Sequence, residues 1–150
     1  MNTNPVAIVT GGSRGVGAAT ATLLASKGWN VTITCTSSIE DADSIVKECE
    51  TFGVEALAIS ADVSDDDACV NTAQQTLKKW GRIDALVNNA GTTKFVFDHG
   101  DLDGLDAEDF LHIYKVNVVG PFQMVRACKE SLLTSDNPSV VNISSIAGIK

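Results

Sequence analysis

Basic side chains are scarce. The chain has 11 lysines and arginines against 19 aspartates and glutamates, a net charge of −8 over 150 residues. That acidic balance gives no reason to expect nucleic acid or an anionic membrane as a partner. The four cysteines, Cys35, Cys49, Cys69 and Cys128, are scattered, with no Cys-x-x-Cys and no metal-ligand spacing. They are expected to be reduced and mostly buried, serving as small apolar residues. Met1-Asn2-Thr3-Asn4-Pro5 carries no basic stretch and no cleavage signal, and no apolar run is long enough to span a bilayer. The expectation is a cytoplasmic protein. Tyrosine occurs once, at Tyr114. There is no repeat, linker or low-complexity segment. With 44% hydrophobic residues, the chain can bury the core of one domain.

One stretch organises what is present. Val6-Ala7-Ile8-Val9 is apolar and β-branched, as a buried strand would be, and it stops at Thr10-Gly11-Gly12-Ser13-Arg14-Gly15-Val16-Gly17. A helical pattern begins directly after. Strand, glycine turn and helix in that order form a phosphate cradle. The glycines permit close backbone approach, and the helix start offers N–H groups and a positive dipole end to an anion. The spacing is Gly-x-x-x-Gly-x-Gly, fixed by Gly11, Gly15 and Gly17, and not the Gly-x-Gly-x-x-Gly of ordinary dinucleotide-binding folds. Glycine turns also join strands to helices for structural reasons alone. In an acidic chain, Arg14 inside this loop is the more informative feature, because a polyphosphate needs local positive potential.

The rest alternates. Val16, Leu23 and Leu24, with several alanines, predict a helix ending near Lys27, with Gly28 beyond its cap. Asn30 to Cys35 reads as the second strand. Ser37-x-x-Glu40 reads as a capping box for a helix burying Ala42, Ile45, Val46, Cys49 and Phe52, closed by Gly53. Glu55 to Ser60 is a third strand, followed by Asp62-Val63. Ser64-Asp65-Asp66-Asp67 opens a helix whose buried stripe should be Val70, Ala73, Leu77 and Trp80. Ile83 to Val87 is a fourth strand, running into Asn88-Asn89-Ala90-Gly91. Residues 92–105 read as a loop. Its Asp98, Asp101 and Asp103 suit a solvated acidic turn better than a metal site, and Phe95-Val96-Phe97 either lines an entrance or packs locally. His99 and His112 are expected at the surface. Asp106 should cap a long helix from about Ala107 to Leu133, and Ser139 to Ile143 is a fifth strand. The fold class is α/β, a doubly wound parallel sheet of Rossmann type with helices on both faces. Ligands on such sheets bind at the carboxyl ends of the strands. The loops at 11–17, 35–38, 62–63, 88–91 and 144–145 all fall on that edge.

Five pieces in order resemble the short-chain dehydrogenase/reductase family over the whole given chain, most closely its 3-oxoacyl-carrier-protein reductase-type members. They are Thr10 through Gly17, Asp62-Val63, Asn88-Asn89-Ala90-Gly91, Asn117-Val118-Val119-Gly120 and Asn142-Ile143-Ser144-Ser145. The resemblance implies hydride transfer between a nicotinamide and a carbonyl or alcohol. It implies that Gly11, Gly12, Ser13, Arg14, Gly15, Val16 and Gly17 hold the pyrophosphate. Asp62 and Val63 would flank the adenine, and Asn89, Ala90 and Gly91 would line the adenosine ribose. Ser145 matches the catalytic serine, whose hydroxyl donates to the substrate oxygen.

Asn117 can also be approached from the residues. It shares a helical stripe with Phe110, Ile113, Tyr114, Met124 and Cys128, and is expected to face inward. Pro121, four residues on, has no N–H for the carbonyl of residue 117, so the helix should kink and free that carbonyl. In the family the matching asparagine holds a water of the proton relay through its backbone carbonyl.

Cofactor choice rests on the end of the second strand. NAD-preferring folds place an acid there. Here the position is Cys35, followed by Thr36, Ser37 and Ser38. No carboxylate at that position repels a 2′-phosphate, three hydroxyls can donate to one, and Arg14 is within reach. The expectation is NADP(H), with NAD(H) as the alternative. The family's Tyr-x-x-x-Lys does not occur in the 150 residues: Tyr114 is followed by Lys115, and no matching tyrosine precedes Lys150. Residues 1–150 are therefore read as the N-terminal dinucleotide-binding part of a single-domain oxidoreductase. Such a part would bind adenine nucleotide weakly and catalyse nothing alone, and its five strands would leave an apolar face uncovered. The whole enzyme is expected to act on a small molecule as a homo-oligomer, a dimer or tetramer. A non-catalytic nucleotide-binding module is the remaining reading.

Overall fold

The computed structural model describes residues 4–98 and 100–146. The strands are β1 (Val6–Val9), β2 (Asn30–Cys35), β3 (Ala56–Ser60), β4 (Ala85–Asn88) and β5 (Ser139–Asn142). They form one sheet in the order β3-β2-β1-β4-β5, and every pairing is parallel. The helices are α1 (Gly15–Ser26), α2 (Ile39–Glu50), α3 (Asp66–Trp80), α4 (Ala107–Tyr114) and α5 (Gly120–Thr134). Strand order reverses between β1 and β4, which opens a crevice at their carboxyl ends.

Alternation along the central strands divides the core in two. Val9, Val31, Ile33 and Val87 pack with Ala21 and Ala25 of α1 and Ala42 and Cys49 of α2. Ile8 and Leu86 point the other way, to Cys69 and Ala73 of α3 and Met124, Cys128 and Leu132 of α5. All four cysteines are buried and free. Burial pushes Cys69 up to about 11 and Cys128 up to about 12, so both remain thiols at neutral pH.

Several boundaries and stripes differ from the sequence reading. The third strand starts at Ala56, the fourth runs Ala85–Asn88, and the fifth stops at Asn142. Val16 and Leu23 are exposed, and α1 packs instead through Gly17, Ala18, Ala21 and Ala25. Small side chains let this helix lie close to the sheet, with Leu24 packed partly buried against the same core. In α3 the buried stripe is Cys69, Thr72, Ala73 and Thr76, while Val70 is exposed and Leu77 and Trp80 are half-buried. Two buried hydroxyls are tolerated because Thr76 Oγ1 meets Thr32 Oγ1 of β2 at 2.9 Å, and Thr72 bonds the Ala68 carbonyl. The α2 cap is Ser38, which accepts from the Asp41 N–H, and not Ser37 with Glu40; Phe52 is exposed. Asp65 caps α3, and Gly28 and Gly53 follow their helices with positive φ as expected.

The long helix expected from Ala107 runs without a break to Thr134, but not as one α-helix. Asp106 and Asp109 form a reciprocal capping box at its start. At Lys115–Val119 the backbone becomes a π-helix, with the Gly120 N–H reaching the Lys115 carbonyl. Pro121 follows at once. Where a kink was expected the backbone forms a π-turn, a local feature often found at functional sites. Of the expected inward stripe, Met124 and Cys128 are buried, Phe110 and Tyr114 are exposed, and Val116, Gly120 and Gln123 are buried as well.

The opposite, amino end of the sheet is closed by Asp84, whose side chain is 4% exposed. Its carboxylate accepts from the Val6 N–H (2.8 Å), from Arg82 Nε and Nη2 (2.8 Å each) and from Ser135 Oγ (2.6 Å). One side chain thereby ties β1 to the start of β4 and to the turn before β5. Burial pushes its carboxyl up, but these donors outweigh burial and hold it below the ordinary carboxylate range.

Candidate functional site

The glycine loop is fastened on two sides. From β2, the Thr34 Oγ1 and carbonyl accept the Gly11 and Gly12 N–H groups at 3.2 and 2.9 Å. From the exit of β4, Asn89 Nδ2 donates to the Thr10 and Gly11 carbonyls at 2.9 and 3.0 Å, while Thr10 Oγ1 accepts from the Asn89 and Ala90 N–H groups. Gly11 sits at φ +64°, where a side chain is strained. A Cβ on Gly17 would lie 2.3 Å from the Gly11 carbonyl oxygen and 2.4 Å from Asn89 Nδ2. No side chain fits there without breaking that fastening.

Over the loop lies a cavity of about 480 Å³, the size of a small-ligand site. Of the residues assigned to the cofactor from sequence, Gly11, Ser13, Arg14, Val16, Thr36, Ser37, Ser38, Asp62, Val63, Asn89, Ala90 and Gly91 form its wall. Gly12, Gly15 and Gly17 do not; Gly12 and Gly17 are buried behind the turn, and Gly15 gives it a positive φ. Asp62 Oδ1 accepts the Ser64 N–H at 2.9 Å, and the Val63 carbonyl accepts from Gln123 Nε2 at 2.8 Å. The polar, glycine-cradled wall fits an adenosine diphosphate. The sequence reading missed Thr34, Asp41, Ala61, Thr92, His112 and Val116 on it, of which Asp41 and His112 are ionisable. His112 is at the surface as expected, but on this wall. His99 and Lys150 lie outside the described residues.

A second cavity of about 840 Å³ adjoins the first along Asn89, Ala90, Gly91 and Thr92. It brings Asn117, Ser144 and Ser145 together. Asn117 is exposed rather than inward-facing, and its side chain has a definite task. Its Oδ1 accepts the Thr92 N–H and its Nδ2 donates to the Thr92 carbonyl, both at 2.8 Å. The π-turn presents this amide to the loop after β4. Asn88 and Asn142, paired across β4 and β5, form the floor. Asn88 Nδ2 donates to Asn142 Oδ1 at 2.9 Å, and the Asn88 carbonyl accepts the Ile143 N–H at 2.9 Å. This pair carries β5 to Ser144-Ser145, and nothing in residue spacing announces it.

Asp98 and Asp101 accept N–H groups within their own turns, from Gly100 and Asp103, and the described residues hold no cluster able to bind a metal. Phe95 and Phe97 form an edge-to-face pair at 4.8 Å, on neither cavity wall. No helix among the described residues is long and apolar enough to cross a membrane.

Comparison with known proteins agrees with this geometry. Residues 5–150 match the model of the family described as short chain dehydrogenase. The chain is 37% identical over 147 residues to a 3-oxoacyl-[acyl-carrier-protein] reductase of Synechocystis, covering 98% of this chain and 58% of that protein. A metagenomic short-chain oxidoreductase solved in complex with NADP superposes with a TM-score of 0.87 at 35% identity, over 97% of this chain and 64% of that one. An NAD+-bound xylitol dehydrogenase superposes equally well, TM-score 0.87, at 29% identity over 100% and 56% of the two chains.

Proposed function

Because the chain belongs to the short-chain dehydrogenase family, we propose that it is the dinucleotide-binding part of an NADP(H)-dependent oxidoreductase of ketoreductase type. The observation that carries this reading is the adjacency of the two cavities. A dinucleotide laid along the first reaches the second, where Ser145 and Asn117 line the wall. The bound nicotinamide supplies or takes the hydride. Ser145 donates a hydrogen bond to the substrate oxygen as charge develops on it, a role suited to a fixed hydroxyl. Asn117 works through its backbone carbonyl, which Pro121 cannot bond because it has no N–H, and holds the water of a proton relay. The acid is the tyrosine of the family's Tyr-x-x-x-Lys. The remaining expectations, a dimeric or tetrameric cytoplasmic enzyme and an inactive isolated segment, belong to the same reading.

The NADP(H) preference is assigned to Arg14 and to the Thr36–Ser38 hydroxyls. In the full-length enzyme, Arg14→Ala should weaken NADPH binding about tenfold or more, as loss of a charge-assisted hydrogen bond of about 1.5–3 kcal/mol implies. NADH binding should change little. Cys35→Asp should shift preference toward NADH by placing a carboxylate beside the 2′ position. Fluorescence titration with both reduced dinucleotides checks this. Equal effects on the two cofactors from both variants would refute it.

A further inference from the structure

The cavity over the glycine loop carries an acid that the end of β2 lacks. Beside Cys35, Thr36, Ser37 and Ser38, its wall includes both Arg14 and Asp41. Asp41 is placed there by the α2 cap, since Ser38 Oγ accepts its N–H at 3.3 Å and fixes the first turn of the helix against the cavity. Its carboxylate is exposed, and neither it nor the Arg14 guanidinium forms an ion pair with a described residue. Glu40 is exposed in the same turn but is not on the wall. The acidic field reaches the strand end. Burial pushes the Cys35 thiol up, and the charges of Asp43, Glu40 and Asp41 raise it further.

We propose that Asp41 limits the preference of this site for a 2′-phosphorylated dinucleotide, opposing the Arg14 guanidinium on the same wall. The proposal rests on the dinucleotide-binding reading above. With a 2′-phosphate bound, Asp41 repels the charge that Arg14 attracts. With a 2′-hydroxyl, Asp41 accepts its proton in a hydrogen bond, the task an acid at the strand end performs in NAD-preferring folds. An aspartate in a first helical turn also has an ordinary reason to be there, the favourable helix dipole. Glu40 has that reason equally, and only Asp41 lines the cavity. The two opposed charges make a site that takes both cofactors.

The test titrates the full-length protein with NADPH and NADH, following reduced-nicotinamide fluorescence at low ionic strength. Asp41→Asn should tighten NADPH about three- to tenfold, the effect of removing one charge near an exposed phosphate, while NADH binding stays level or weakens. The gain should shrink in 1 M salt, where the screening length falls to about 3 Å. Glu40→Gln removes the same charge from the same turn and should do markedly less. An unchanged NADPH affinity in Asp41→Asn, equal tightening of both dinucleotides, or an equal effect of Glu40→Gln would overturn the assignment. A wild-type protein that binds neither dinucleotide would overturn the cofactor reading and this inference together. Binding of both with no response to Asp41→Asn would overturn this inference alone.

Discussion

Replacing Ser145 with alanine in the full-length enzyme is expected to lower kcat by about 10²–10³-fold, the usual cost of one donor aimed at a developing oxyanion. NADPH affinity should stay within about twofold, because Ser145 lines the second cavity and takes no part in the wall over the glycine loop. Ser144 lines the same cavity, and Ser144→Ala is the necessary companion. Steady-state rates with a saturating carbonyl substrate, together with cofactor titration, separate the two serines. A Ser145→Ala enzyme near wild-type rate would give the role to Ser144 or to neither.

The second large effect is on stability, at the far end of the sheet. Asp84→Ala should destabilise the fold by about 2–3 kcal/mol, because the Val6 N–H, itself fully buried, loses its acceptor. The Arg82 contribution is smaller, since its side chain is 41% exposed and screened by water. Asp84→Asn isolates the charge. The folded carboxyl titrates below its unfolded value, so its stabilisation is complete above the ordinary aspartate range near pH 4 and fades as pH falls through the folded value. Denaturant melts from pH 7 down to pH 2 should show a loss in the wild type that Asp84→Asn lacks. Parallel curves for the two proteins would remove Asp84 from the acid response.

What the sequence made legible was what local chemistry dictates. The glycine loop, the bounds of β2 and the Asp106 cap each rest on a few adjacent residues, and each was read correctly. The buried faces of α1 and α3 were less so. In α1 the pattern announced a helix but not which face is buried, and contact went to Ala21 and Ala25; in α3 hydrophobicity pointed to Val70, but Thr72 and Thr76 are buried. A close helix–sheet approach rewards small volume, and a buried threonine needs a partner that only the fold supplies. Around the π-turn the reading divided: Met124 and Cys128 beyond it are buried as the helical stripe implied, whereas Phe110, Tyr114 and Asn117, before and within it, are exposed. In the site, motif residues gathered as their order implied, Asn88 and Asn142 among them, whereas the hydrogen bond between those two and the places of Asp41 and His112 came from tertiary packing.

That amide pair bears on how the chain finds its structure. A parallel strand can dock one residue out of step at little cost in backbone hydrogen bonds, and each such slip turns every side chain to the other face of the sheet. The valines Val140 and Val141 of β5 are both about half exposed, so hydrophobic burial alone discriminates weakly between the two docked positions. Asn88 opposite Asn142 acts as an alignment mark. In the correct position the two amides bond, and out of step a buried amide faces a valine or isoleucine with nothing to accept its proton. A mis-docked β5 would keep the sheet's general shape while turning Ser144 and Ser145 away from the second cavity they line. The asparagine pair makes that error energetically visible during folding.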